Sequence, residues 1–438
     1  VSPLEIGLLI LVALLALFAT GMPIAFALGA VSVGVLLLTD GPRSLETLSE
    51  TFFAGLSSFT LVSIPMFILM GAAVASSPAG RDLYAALDRW LNRVPGGLVL
   101  SNLGACSIFA ALSGSSPATC AAIGKMGIPE MRARGYPADI AAGSIAAGGT
   151  LGILIPPSIT MIVYGIATET SIGRLFLAGV LPGLMLTAIF MAWTIFSCWR
   201  RGIGLADLTE RFTLRQKLEV LPRVLPFLAV IAGILYVLYG GIATPSEAAG
   251  VGAVFCLLLV VVVYRMVRAG PIIEIFRSTT KESVMIMLII AASELFAFTL
   301  SSTFVTQSIA QWIAALEVNR WVLMAIINLF LLVAGFFLPP VAVILMTAPI
   351  LLPIITGAGF DPYWFAVILT INMEIGLITP PVGLNLYVIN GIAPDVSLGT
   401  ILRGSIPYVG CMVFAIVLLC LFPGIATWLP TLLMGPAR

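Results

Sequence analysis

Gly152-Ile153-Leu154-Ile155-Pro156-Pro157-Ser158 interrupts an apolar run that is otherwise long enough to cross a membrane. Each proline removes a backbone donor and clashes with the preceding turn, so the pair breaks the helix that reaches it. Inside a bilayer such broken backbone is tolerated only where its freed carbonyls and amides are buried in protein or line a cavity. The same punctuation returns at Gly376-Leu377-Ile378-Thr379-Pro380-Pro381, with identical spacing between the glycine and the prolines. Two breaks of one spacing point to a duplicated architecture.

The bulk composition sets the solvent. Of 438 residues, 60% are hydrophobic and 9% charged, with a mean hydropathy of +1.14, whereas soluble globular proteins carry about 25% charged residues. The chain reads as an all-α polytopic protein of a lipid bilayer. A net charge of +1 with no basic domain or tail argues against a nucleic-acid partner. Histidine is absent, which removes the commonest general base and transition-metal ligand; no transition-metal site is expected. Six cysteines are scattered singly through apolar segments with no Cys-x-x-Cys and read as packing residues.

A membrane helix needs about 20 apolar residues. On that ruler full spans fall near 4–19, 22–39 and 58–77, the first without the basic leader of a signal peptide. A hairpin near 97–128 follows, interrupted at Ser113-Gly114-Ser115-Ser116-Pro117, with arms short enough to read as re-entrant. A broken helix near 138–167 and a span at 175–198 close a first repeat over 1–199, and a charged connector occupies 200–225. The second repeat, 226–438, has spans near 226–243, 246–264 and 284–303, then a hairpin near 321–357 with its tip at Leu338-Pro339-Pro340. A broken helix near 364–391 and a last span at 404–428 complete it. Residues 271–283 and 44–51 are expected to lie along the interface as amphipathic helices. Trp199, Trp321, Trp364 and Trp428 fall at span ends, where aromatic belts occur.

A shift of 224 residues carries Gly152 onto Gly376, Pro156 and Pro157 onto Pro380 and Pro381, Pro129 onto Pro353 and Gly135 onto Gly359, without a gap. Basic residues are retained on the cytoplasmic side. The first hairpin is flanked by Arg81, Arg89, Arg93, Lys125, Arg132 and Arg134, the second only by Arg320, with Glu317 and Asp361. The first hairpin therefore opens to the cytoplasm and the second to the outside. The connector basics, including Arg211, fall inside with Arg265, Arg268, Arg277 and Lys281. Each half has an odd number of crossings, so the repeats are inverted and both termini are expected outside.

Inverted repeats with hairpins and broken helices point to a secondary transporter with its site near the bilayer midplane. Unwound backbone offers carbonyls to a dehydrated cation, while helix N-termini favour an anion. The Ser113–Pro117 tip fits, since glycine permits unusual torsions, serines add oxygens and Pro117 suits a first helical turn. The second tip has no side-chain oxygen, leaving backbone carbonyls helped by Thr379 and Asn385. Glu374, two residues before Gly376, is a candidate either for holding a proton or for a structural carboxylate; Glu294 reads as structural.

Ser113-Gly-Ser-Ser-Pro-Ala-Thr119, Gly127-Ile-Pro-Glu-Met-Arg132, Gly135-Tyr-Pro137 and Gly152–Ser158 together resemble the large membrane (M, or DctM-like) subunit of tripartite ATP-independent periplasmic (TRAP) transporters. The resemblance spans essentially the whole chain. It implies a bacterial inner-membrane symporter for organic anions such as sialic acid or C4-dicarboxylates, with Na+ as coupling ion and no cofactor. It implies an elevator mechanism in which hairpins and broken helices move against a scaffold, and two partners. These are a small four-helix Q subunit, expected as a separate polypeptide because extra N-terminal helices are lacking, and a periplasmic binding protein (P subunit). Carried onto this chain, the resemblance puts one sodium among Ser113, Gly114, Ser116, Gly152 and Pro156, and a second among Leu338, Pro339, Thr379 and Gly383. Substrate is implied near Ser115, Ser116, Ser158, Pro340 and Asn385.

Three rivals share parts of this pattern. A single-component divalent-anion:sodium symporter would work without a binding protein. An intramembrane serine hydrolase would need a basic partner for its nucleophile, and Lys125 lies nine or more residues from the tip serines. An ion channel would not need a delivery protein.

Overall fold

A computed structural model describes residues 2–39, 41–203, 212–315 and 318–435. Arg211 and Glu317, two of the charges that orient the chain in the sequence, lie outside the described residues. The described residues fold into helices without strands. Helix starts are written locally. Ser2 and Glu5 form a capping box ahead of α1 (Pro3–Ala19), which is followed by α2 (Ile24–Thr39) and α3 (Ser44–Leu56). After a 3-10 turn at Phe59–Val62 come α4 (Ser63–Ala75) and α5 (Ala79–Leu91). The first hairpin is α6 (Gly97–Ser113) and α7 (Ser116–Ala133), and the first broken helix is α8 (Ala138–Thr150) and α9 (Ile159–Ala167). The half closes with α10 (Ile172–Arg201), capped by Ser171 and stopped by Gly202 at a φ of 67°.

A short α11 (Leu214–Glu219) in the connector leads to α12 (Leu221–Tyr239), then α13 (Pro245–Val262) and α14 (Ala269–Ser302). Then follow α15 (Val305–Ala315), the hairpin α16 (Arg320–Phe337) and α17 (Pro340–Gly357), and the broken helix α18 (Pro362–Leu377) and α19 (Leu384–Ile392). The last helices are α20 (Leu398–Leu421) and α21 (Gly424–Met434). A shift of 224 residues lays α7 onto α17 end to end, and brings α6 onto α16, α8 and α9 onto α18 and α19, and α5 onto α15 within a few residues. The duplication thus extends beyond the breaks to nearly every element.

Among the described residues seven helices are long and apolar enough to cross a bilayer, eight if the bent pair Leu48–Leu56 and Phe59–Ala75 counts as one. Large apolar side chains such as Leu38, Tyr236 and Val262 stand at the outer surface, where only lipid or another apolar surface can cover them. The chain is a multi-pass membrane protein. Its two halves are interleaved, with α4 packed on α13 and α14 on α2. The second arm of each broken helix crosses to the other half's hairpin, α9 to α17 and α19 to α7. This exchange gathers four interrupted elements into one body.

Several expectations change. Residues 271–283 do not form a separate interfacial helix; they are the first third of the 34-residue α14. The reason is local: Pro271 lies in the first turn, where it is tolerated, and no glycine or proline follows it up to Ser302. The matching stretch in the first half contains Gly55, Ser57 and Ser58 and bends by 57°. The expected last span ends at Leu421, because Pro423-Gly424 stops it. Trp364 is not a belt residue. It is 1% exposed, stacks on Phe360 and donates its indole N–H to the Leu419 carbonyl at 2.8 Å. Trp199, Trp321 and Trp428 are exposed. All six cysteines are free, five of them buried.

Candidate functional site

The first tip and the first break are in direct contact. Gly114 turns the chain at a φ of 58°, and Ser115 passes in extended backbone into α7. The Ser116 hydroxyl donates to the Thr150 carbonyl at 3.2 Å, tying the hairpin to the end of α8. The hydroxyl oxygens of Ser113 and Thr119 lie 2.8 Å apart, and Thr119 donates to the Ser115 carbonyl at 2.9 Å. A methyl group at Gly152 would stand 2.6 Å from that same carbonyl oxygen, so the glycine is what lets tip and break touch. Beyond it the Pro156–Pro157 peptide is cis. Among the described residues the carbonyls of Ile155, Pro156 and Pro157 accept no backbone hydrogen bond. Ser113, Gly114, Ser116, Gly152 and Pro156 are thus together, and all are buried.

The second tip meets its break through backbone. The Val382 amide donates to the Phe336 carbonyl at 3.2 Å, and a methyl group at Gly376 would run into the Gly335 carbonyl. The Thr379 hydroxyl folds back onto the Ile375 carbonyl at 2.7 Å. Gly383 opens α19 at a φ of 46°. The carbonyls of Ile378, Thr379, Pro380 and Pro381 accept no backbone hydrogen bond among the described residues. Leu338, Pro339 and Thr379 are half-buried, and Gly383 is buried.

Both tips open on one cavity of about 720 Å³. Four segments of the hairpins and broken helices begin at its wall, α7 at Ser116, α9 at Ile159, α17 at Pro340 and α19 at Leu384. Their N-termini carry partial positive charge and unpaired amides, which favour an anion. Helix α18 ends there at Leu377, so carbonyl-rich ends suited to a cation adjoin the same space. Helix α2, which begins at Ile24, and Lys281, Glu282 and Met285 of α14 also line it. A second cavity of about 710 Å³ holds Glu50, Glu169 and Glu294 but no tip residue.

The expected substrate residues divide. Ser115, Ser116 and Pro340 line the tip cavity. Ser158 does not; it is fully buried as the N-cap of α9, donating to the Ile153 carbonyl at 2.5 Å and accepting from the Met161 amide. Asn385 is also buried and donates to the Ala146 carbonyl at 3.2 Å, linking α19 to α8. Glu374 is fully buried, and neither carboxylate oxygen has a hydrogen-bond partner among the described residues. Sequence reasoning passed over Thr119 and Thr150 and treated Lys281 only as an orientation marker. Thr119 and Thr150 could have been found by asking which oxygens one helical turn from each break can be reached.

The model of the tripartite ATP-independent periplasmic transporter family, DctM component, matches residues 11–425. The chain belongs to this family. It is 39% identical over 399 residues to the C4-dicarboxylate TRAP transporter large permease protein DctM of Pseudomonas aeruginosa, covering 91% of this chain and 92% of that one. It is 31% identical to the sialic acid TRAP transporter large permease protein SiaM of Vibrio cholerae, over 96% and 97% of the two chains. To the ectoine TRAP transporter large permease protein TeaC of Halomonas elongata it is 32% identical, over 95% and 97%. Among solved structures, the YdaH transporter of Alcanivorax borkumensis shares the fold at a TM-score of 0.67, over 93% of this chain and 98% of that one, with 16% identity. The DctM-family chain is therefore a transporter permease subunit and not an enzyme.

Proposed function

We propose that this permease subunit takes up a small organic anion across the bacterial inner membrane with sodium as the coupling ion, by an elevator motion of its hairpins and broken helices. A small four-helix membrane subunit and a periplasmic binding protein complete the system, and both chain ends face the periplasm. The observation that carries the reading is the meeting of four helix N-termini, from both hairpins and both broken helices, on one cavity, with unpaired carbonyls in the chain stretches that lead into two of them, α9 and α19. An anion suits the first and sodium the second. One sodium sits among Ser113, Gly114, Ser116, Gly152 and Pro156, the other among Leu338, Pro339, Thr379 and Gly383, with substrate between the tips. Relatives named for C4-dicarboxylates, sialic acid and ectoine favour a small carboxylate-bearing solute.

The test is uptake by proteoliposomes holding this chain and its two partners. Labelled succinate, sialic acid or ectoine accumulates when a sodium gradient is imposed, and accumulation stops when potassium replaces sodium. Uptake indifferent to sodium but driven by an imposed proton gradient would overturn sodium coupling and turn attention to Glu374. Uptake by the chain alone would overturn the three-component assembly.

A further inference from the structure

We propose that Lys281 is a substrate-recognition residue carried by the scaffold, whose ammonium group pairs with the anion's carboxylate while the hairpin tips face α14 and parts from it when they move away. The inference rests on the reading of function above. Lys281 lies in α14, twelve residues from its start, and lines the cavity onto which both tips open. It is the one basic residue in that lining among the described residues. Lys281 is exposed beside Met285, Ile286 and Ile289 of the same lining, so its ammonium group is open to a solute entering the cavity.

No partner of its own occupies it. Among the described residues Lys281 makes no ion pair, whereas Arg277, one turn earlier, is engaged with Glu274 at 3.8 Å. Glu282 lines the same cavity, but adjacent residues on a helix do not face one another, so it leaves the ammonium free for a solute. The tips themselves offer an anion only hydroxyls, amides and helix ends. Among the described residues Lys281 therefore supplies the one cationic side chain that a carboxylate in this cavity can meet, beside whatever sodium the tips hold.

Its position on α14 gives the contact a direction. Helix α14 packs mainly on α2, α3 and α4, with a smaller contact to the hairpin arm α17; in the elevator reading it belongs to the frame against which the hairpins move. A charge on the moving body would travel with the substrate and strengthen binding equally at both membrane faces. A charge on the frame strengthens binding at one face only. Transport equilibrium cannot change with it, because the ion and solute gradients alone fix the final accumulation.

The experiment measures uptake and release by oriented proteoliposomes of the complete three-protein system, with KM taken separately at each face. The solute is labelled succinate, sialic acid or ectoine, whichever the wild-type system accumulates. Lys281→Gln should raise KM at one face by about tenfold, as loss of a charge-assisted contact does, and leave the other face and the steady-state accumulation ratio unchanged. Lys281→Arg should restore most of the loss. Glu282→Gln should move KM at the same face in the opposite direction, because it removes a repelling charge from the wall. An unchanged KM at both faces in Lys281→Gln overturns the assignment, and so does an equal rise at both faces. An equal effect from Arg277→Gln, which removes the same charge outside the cavity lining, would reduce the result to general surface charge and overturn it too. If the wild-type system accumulates none of the three solutes, the reading of function fails first and the role of Lys281 falls with it.

Discussion

At the first break every residue from Leu151 to Ser158 except Ile155 is buried, whereas at the second Thr379 and Val382 are half-buried and Pro380 and Pro381 stand exposed. The backbone motif is shared and the surroundings are not. Helix α6 is covered by α4 and α5, while α16 has no comparable cover from α14 or α15 among the described residues. The walled-in copy therefore needs side-chain hydroxyls to satisfy carbonyls that water cannot reach. The open copy can leave its carbonyls to solvent or to a passing ion, and its one threonine bonds within its own helix. One sequence pattern placed in two dielectrics has become a rigid junction and an accessible one.

The comparison can be broken at its strongest shared point. Gly152→Ala and Gly376→Ala each drive a methyl group into a neighbouring carbonyl, and strain of about 1–3 kcal/mol or more should leave little correctly assembled protein. Size-exclusion profiles of detergent extracts check this. A monodisperse, transport-competent Gly152→Ala protein would mean that tip and break are not in contact. Accessibility should separate the two copies next. Pro380→Cys should react with a charged thiol reagent about a hundredfold faster than Pro156→Cys, as expected when one site needs only surface exposure and the other a local opening. Equal rates would abolish the distinction.

Smaller effects sharpen it. Ser116→Ala removes the side-chain donor to the Thr150 carbonyl, a loss of about 1–3 kcal/mol for a buried hydrogen bond, and should raise the sodium concentration for half-maximal uptake by about tenfold. Thr379→Ala removes a hydroxyl already spent on its own helix, and its shift should stay below about threefold. Reversed magnitudes would make the second copy the more dependent on hydroxyls. The smallest effect concerns the exposed ion pair of Arg132 and Asp395, which ties α7 to the loop before α20. The hydrogen bond from Arg132 holds the Asp395 carboxyl below its ordinary value. A depressed carboxyl contributes stability above its ordinary value and loses it as pH falls through the depressed one. For so exposed a pair, Asp395→Asn should leave the melting midpoint at neutral pH within error.

What was legible in the sequence follows from what glycine and proline do to backbone. Pro117, Pro340, Pro156–Pro157 and Pro380–Pro381 act on their own turns, so both hairpins and both breaks were found close to their observed limits. Helices α5 and α15 were missed because a hydropathy sum averages over faces: α5 buries Leu83 and Tyr84 while Arg81 is exposed and Arg89 reaches to the Gln216 carbonyl of the connector. The continuity of α14 was obscured by its polar first third, although the absence of any breaker after Pro271 was there to be read. Trp364 and Lys281 depend on partners distant in the chain. A tryptophan near a span end fits an interface or a core equally well until Phe360 and Leu419 are seen beside it. A lysine near a span start looks like a topology marker until it is found lining one cavity with both tips.

The unpaired carbonyls of Ile378 to Pro381 have a consequence for genetics. Side-chain truncation, the usual instrument of mutational scanning, cannot delete a peptide oxygen. A truncation scan of this chain will register Ser113, Ser116 and Thr119 through their oxygens, whereas in the second copy it will register packing positions such as Gly376 and miss the peptide oxygens, even if both copies serve the ion equally. Inheritance is shaped in the same way. Any substitution at Leu338 or Val382 that keeps the fold leaves the peptide oxygens in place, while Ile378, fully buried, is held by packing, so what that half must preserve for an ion is the conformation of the chain.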